Sequence, residues 1–149
     1  MVGAEPARDE PVGPDRGGHG RAAWLDSAGS DWGPWVSVRS GEFQRLVDAL
    51  AEVERGKGRD YTTFSVRGKR FGYYWPRTET VGLKQTLSEQ RALVAERPEV
   101  FEEQFTMGGF GWVVVHLAGI ERDELSELVY EAWRLSAPEE LVAETPFSR

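Results

Sequence analysis

From about residue 42 onward, apolar positions recur with helical and strand periods that alternate along the chain. Phe43, Leu46, Val47 and Leu50 fall at i, i+3, i+4 and i+7, one face of a helix, and Val53 extends the stripe. Ser40 stands at the N-cap position, with Phe43 at N3, and Gly56 and Gly58 end the element. Residues 62–75, T-T-F-S-V-R-G-K-R-F-G-Y-Y-W, are β-branched and aromatic at both ends around Gly68-Lys69. That pattern predicts a hairpin with a type II′ turn, glycine first. Its register would pair Val66 with Phe71, Phe64 with Tyr73 and Thr62 with Trp75. Phe64, Val66, Phe71, Tyr73 and Trp75 would share the core face, with Ser65, Arg67, Arg70, Gly72 and Tyr74 on the outer one.

Thr80 to Gln85 reads as a third strand with Val81 and Leu83 inward, ahead of a Thr86/Glu89 capping pattern. The helix this starts buries Leu87, Leu93 and Val94 and stops before Pro98. Phe101 and Phe105 are expected to pin a loop, and Gly108-Gly109-Phe110-Gly111 to form a turn. Residues 112–117 form a strand with Trp112, Val114 and His116 on one side and Val113, Val115 and Leu117 on the other. Apolar on both sides, it belongs in the middle of a sheet. Asp123 is placed to cap a last long helix with an inner stripe of Leu125, Leu128, Val129, Ala132 and Leu135. Trp133 lies beside that stripe, directed at the sheet near Trp112 or the aromatic side of the hairpin. A Ser136-Ala137-Pro138-Glu139 cap then opens a short helix through Leu141 and Val142. Strands joined by tight turns and helices between them predict an α+β fold, a two-layer domain with an antiparallel sheet and helices on one face.

Two regions change this picture through composition. Residues 1–41 are rich in Gly and Pro and lack an apolar period, so they read as a disordered leader ahead of a domain at residues 42–145. Trp24, Trp32 and Trp35 would make an aromatic motif there, but a tail is the simpler reading. The chain has no cysteine, which removes disulfides and thiolate metal sites. Its first residues lack a hydrophobic signal core and no apolar run reaches the ~20 residues that span a bilayer. A cytoplasmic protein away from the membrane is expected.

Charge is divided along the chain. Residues 55–84 carry eight basic and two acidic side chains, a local +6, whereas residues 85–144 carry four basic and thirteen acidic, a local −9. The whole chain is at −7. A basic, aromatic half beside an acidic half suggests polyanion contact on one side only.

The hairpin F-S-V-R-G-K-R-F-G, the strand Val81-Gly82-Leu83-Lys84, the strand Gly111-Trp112-Val113-Val114-Val115 and the run from Glu131 to Pro138, E-A-W-R-L-S-A-P, resemble the MmcQ/YjbR family in order and spacing. The likeness covers residues 42–144. It implies a compact α+β fold with an antiparallel sheet, described as a double wing, and the family label of DNA-binding protein. It brings no active site. The family's basic residues after the hairpin turn fall on Lys69 and Lys84.

Arg67, Lys69 and Arg70 crowd the hairpin tip as a wing laid against phosphates would require. Arg77 and Lys84 are expected to join them in one exposed basic patch. Tyr74, on the predicted outer face, is the candidate to stack on a base. Sheet-edge cations also keep sheets soluble, which is the plainer reading of the tip. His116 has no second ring to share a metal, His19 lies in the leader, and Glu124, Glu127 and Glu131 follow a solvated helix face. No metal, no cofactor and no catalytic residue is expected, so the chain reads as a non-enzyme. The leading expectation is weak, salt-sensitive DNA contact through the basic hairpin. The alternative is a protein- or small-ligand-binding adaptor that uses the open sheet face, which predicts a concave apolar pocket lined by Trp75, Trp112 or Phe110.

Overall fold

The computed structural model describes residues 38–147. Expectations for the leader and its three tryptophans lie outside the described residues. Six strands form one sheet in the order β1-β2-β3-β4-β6-β5, with every neighbouring pair antiparallel. The strands are β1 (Val53–Lys57), β2 (Thr62–Val66), β3 (Lys69–Trp75), β4 (Thr80–Thr86), β5 (Phe101–Met107) and β6 (Phe110–His116). The helices are α1 (Val38–Asp48), α2 (Leu87–Glu96), α3 (Arg122–Arg134) and α4 (Glu139–Ala143). This is the expected α+β architecture. β6 is interior, between β4 and β5, as its two apolar faces required.

The first three helices lie on one face of the sheet. Phe43 of α1 packs on Phe64 and Tyr74, at 5.6 and 5.7 Å between ring centroids. The Gln90 amide of α2 donates to the carbonyls of Phe105 and Trp112, at 3.2 and 2.9 Å. Gln85 of β4 donates to the Leu128 carbonyl of α3 at 3.1 Å. The core between the layers holds Val81, Leu83, Val113, Val115, Leu125, Val129 and Trp133. Leu125, Leu128, Val129 and Ala132 are buried along α3 as the inner stripe predicted.

Several elements differ from the sequence expectation, each for a physical reason. Val53 does not extend α1. Glu52 adopts a positive φ of 57° and turns the chain into β1, an edge strand whose charged side chains protect its free side. Residues 101–107 form a strand rather than a pinned loop. A bulge between Glu103 and Phe105 reverses the alternation, so Phe101, opposite Val115, faces the helices while Phe105, opposite Trp112, faces away. Ser40 lies inside α1 and hydrogen-bonds Tyr74 instead of capping the helix. Glu121, not Asp123, is the N-cap of α3, and Pro138 that of α4. Thr86 does cap α2, its hydroxyl accepting from the Glu89 N–H at 3.1 Å.

The hairpin register also differs. The turn is Arg67-Gly68, with φ of 50° and 82°, a type I′ turn with glycine second. Val66 pairs with Lys69 and Ser65 with Arg70, but Phe64 pairs with Gly72 and Thr62 with Tyr74, because a bulge accommodates Phe71. This one extra residue exchanges the faces of everything beyond it in β3. Tyr74 turns into the core and Tyr73 and Trp75 turn out.

Candidate nucleic-acid interface

The sheet face away from the helices carries an aromatic row. Tyr73 stacks on Trp75 with centroids 5.5 Å apart and planes 12° from parallel. It meets Tyr61 edge-on at 5.9 Å and Trp112 at 5.5 Å, and Trp112 continues to Phe105 at 5.3 Å. Trp112 is the floor of the row, 5% exposed, while Tyr61, Tyr73, Trp75 and Phe105 remain half-buried. Gly82, opposite Tyr73, lets Trp75 and Gln104 close over the strand, since a Cβ there would meet the Trp75 ring at 3.3 Å.

Cations stand at one end of this row. The Arg70 guanidinium lies 5.5 Å over the Tyr73 ring and donates to its hydroxyl at 3.3 Å. Lys84 lies 4.3 Å over the Phe110 ring, and its ammonium donates to the Ser136 hydroxyl at 2.9 Å. Ser136 in turn donates to the Arg70 carbonyl at 3.5 Å. Ser136 therefore ties the start of β3 to the end of β4, a role the sequence, which placed it in a cap, did not indicate. Burial, with the Lys69 ammonium nearby, pushes the Lys84 pKa below the usual lysine value.

The six residues singled out from sequence separate in space. Lys69 and Arg70 are exposed at the start of β3, and Lys84 stands near them, half-buried. Arg67 is exposed but engaged, its guanidinium donating twice to the Glu52 carboxylate at 2.5 and 3.0 Å. That pairing raises the Arg67 pKa and lowers that of Glu52, and Glu140 and Glu144 add to the negative field at the tip. Arg77 is exposed in the turn after Trp75, at the far end of the seven-residue β3, which rises roughly 23 Å. The expected single basic patch therefore does not form. Tyr74 is 1% exposed and cannot meet a base, because the bulge at Phe71 reversed its side. Its neighbour Tyr73, read from sequence as core, takes the outward position. The alternation on which both assignments rested is correct only up to the bulge.

A cavity of about 80 Å³ lies on the other side of the molecule, between α1, α3 and the C-terminal segment, lined by Leu46, Leu50, Val129, Tyr130 and Phe147. It is small beside the ~300–1,000 Å³ of ligand pockets and is not lined by Trp75, Trp112 or Phe110. Among the described residues no group of three or more His, Asp or Glu is arranged to hold a metal ion. No described helix is long and apolar enough to cross a membrane.

The sequence profile of the YjbR family matches residues 46–135, which span β1 to α3 and the end of α1. The chain belongs to the YjbR family. Uncharacterised proteins of Mycobacterium tuberculosis and Mycobacterium bovis are 43% identical to it over 51 residues, 34% of this chain. The match spans 40% of the length of these relatives. Among solved structures, Deinococcus radiodurans protein DR2400, with a DUF419 domain, superposes with a TM-score of 0.56 at 17% identity. The alignment covers 62% of this chain and 73% of that one. At that identity the likeness supports the YjbR-type fold.

Proposed function

We propose that this YjbR-family chain is a non-enzymatic nucleic-acid-binding domain whose contact is weak and salt-sensitive. The contact is centred on the Lys69–Arg70–Lys84 corner of the sheet, not on the hairpin tip as a whole. The observation that carries this reading is the Lys84 ammonium, set in the field of Lys69 and bonded to Ser136 beside the Arg70 carbonyl, at the end of a row of half-buried rings. Lys84, partly desolvated and close to Lys69, holds its charge at a cost that a bound phosphate would offset. The acidic side chains of α3 and α4 lie in the helix layer and repel a polyanion from that side, which favours one orientation of approach. The paired Arg67 and distant Arg77 contribute little to it.

Anisotropy of labelled oligonucleotides across a salt series tests the proposal. Three phosphate contacts correspond to a slope of log K on log salt of about −2 for single strands and −2.7 for a duplex. Replacing Lys69, Arg70 and Lys84 with Glu should abolish binding, and Arg91→Glu, on the exposed side of α2, should leave it intact. Absence of measurable binding to either form at about 50 mM salt would reject the proposal and favour a protein partner on the aromatic face.

A further inference from the structure

The position of the rings relative to the cations carries the reading one step further, and this step rests on the nucleic-acid reading. We infer that the open sheet face accepts the unpaired bases of single-stranded DNA in preference to a duplex.

Tyr73 and Trp75 are consecutive outward residues of β3, with nearly parallel planes, and both are half-buried. Arg70 precedes them on the same strand and already lies over the Tyr73 ring. A strand running along β3 would place a phosphate at Arg70 and Lys84 and an unpaired base against Trp75, because the Tyr73 ring is already covered by Trp75 and by the Arg70 guanidinium. Such rings interact with the flat face of a base, which is accessible only when the base is unpaired. Trp112 beneath Tyr73 supports the row from below, so the platform is held before a ligand arrives.

A duplex offers no such match. It would need cations projecting into or along a groove, and the element shaped for that, the hairpin tip, has its foremost arginine bound to Glu52. The face also favours DNA over RNA. Its other polar side chains are engaged or buried: His116 is held by Glu102 at 2.5 Å, and Thr80, fully buried, is bonded to Thr78 at 2.8 Å. Few therefore remain to read a 2′-hydroxyl.

The test compares the full chain with labelled oligo-dT of ~12 nucleotides, a mixed-sequence duplex of the same length and the matching oligo-U at about 50 mM salt. Oligo-dT should bind at least ten-fold more tightly than the duplex. Trp75→Leu should weaken oligo-dT binding by about ten-fold or more while leaving residual duplex binding unchanged. Trp75→Phe, which keeps a ring at that position, should retain most of the oligo-dT affinity and provides the comparison if Trp75→Leu lowers the melting temperature. Duplex binding equal to or tighter than oligo-dT, or a Trp75→Leu variant that changes neither ligand or both alike, would overturn the inference while leaving nucleic-acid binding standing. Tighter oligo-U would overturn the choice of DNA. Loss of all three ligands would instead reject the nucleic-acid reading itself.

Discussion

The Tyr74 ring lies 5.7 Å from that of Phe43, enclosed between α1 and the sheet, with its hydroxyl bonded to Ser40. Burial, the largest cause, pushes the phenol from its usual 10.0 to about 12, and Glu79 adds to the shift while Ser40 opposes it. The folded state therefore keeps the proton after the unfolded chain has released it. The group's contribution is fully present below pH 10 and is lost as the pH rises through about 12. Two units correspond to roughly 3 kcal/mol. Urea unfolding of wild type and Tyr74→Phe across this window should show a steeper alkaline loss for wild type. Parallel curves would mean that the phenol ionises freely in the fold.

Trp133 is fully buried, but it does not approach Trp112, which lies on the opposite face of the sheet. Its indole N–H donates to the Ala51 carbonyl at 3.0 Å, between α1 and β1, and Tyr130 packs beside it at 5.6 Å. Trp133→Ala should cost about 3–5 kcal/mol. Trp133→Phe keeps most of the volume and should cost less, chiefly the unsatisfied Ala51 carbonyl, about 1–3 kcal/mol. Equilibrium unfolding of both variants checks the order.

Gly111 is needed by its neighbour in α2. A Cβ at this position would come within 2.7 Å of the Gln90 Cβ and Cδ, and Gln90 holds the two carbonyls at the β5 bulge. Gly111→Ala should destabilise by about 1–3 kcal/mol through this overlap. Amide exchange should quicken in β5 and β6 together. A neutral substitution would mean that α2 shifts without cost.

Glu52 neutralises the hairpin tip. Glu52→Ala should free Arg67 for a phosphate, raising affinity at low salt and steepening the salt slope by up to about 0.9 on a duplex. Arg67→Ala in the wild-type background should change binding less than Arg70→Ala. Anisotropy titrations at several salt concentrations read both effects. An unchanged Glu52→Ala slope would show that Arg67 does not reach the ligand.

Much of this fold is legible in the periods of the sequence. The stripe of α3, the Thr86 cap, the Gly108-Gly109 turn and the two apolar sides of β6 follow from side-chain spacing, because each depends on residues a few positions apart. The charge division along the chain was legible in the same way. β1 and β5 were missed because their sequences, V-E-R-G-K and F-E-E-Q-F-T-M, lack a clean alternation and are strands by virtue of the partners they pair with.

The candidate site was decided by tertiary structure. Bulges at Phe71 and before Phe105 each insert one residue into a period of two, and so exchange the two faces downstream. Nothing in the local alternation marks such an insertion, so Tyr74 and Tyr73 were assigned to each other's sides. The sequence alone established which side chains carry charge and which are aromatic. Only the folded chain determined that Arg67 is held by Glu52, that Arg77 is a strand's length away, and that Lys84 comes near Lys69 and reaches Ser136 beside the Arg70 carbonyl. Those outcomes depend on contacts between residues distant in sequence, where register and helix placement, not neighbouring residues, set the distances.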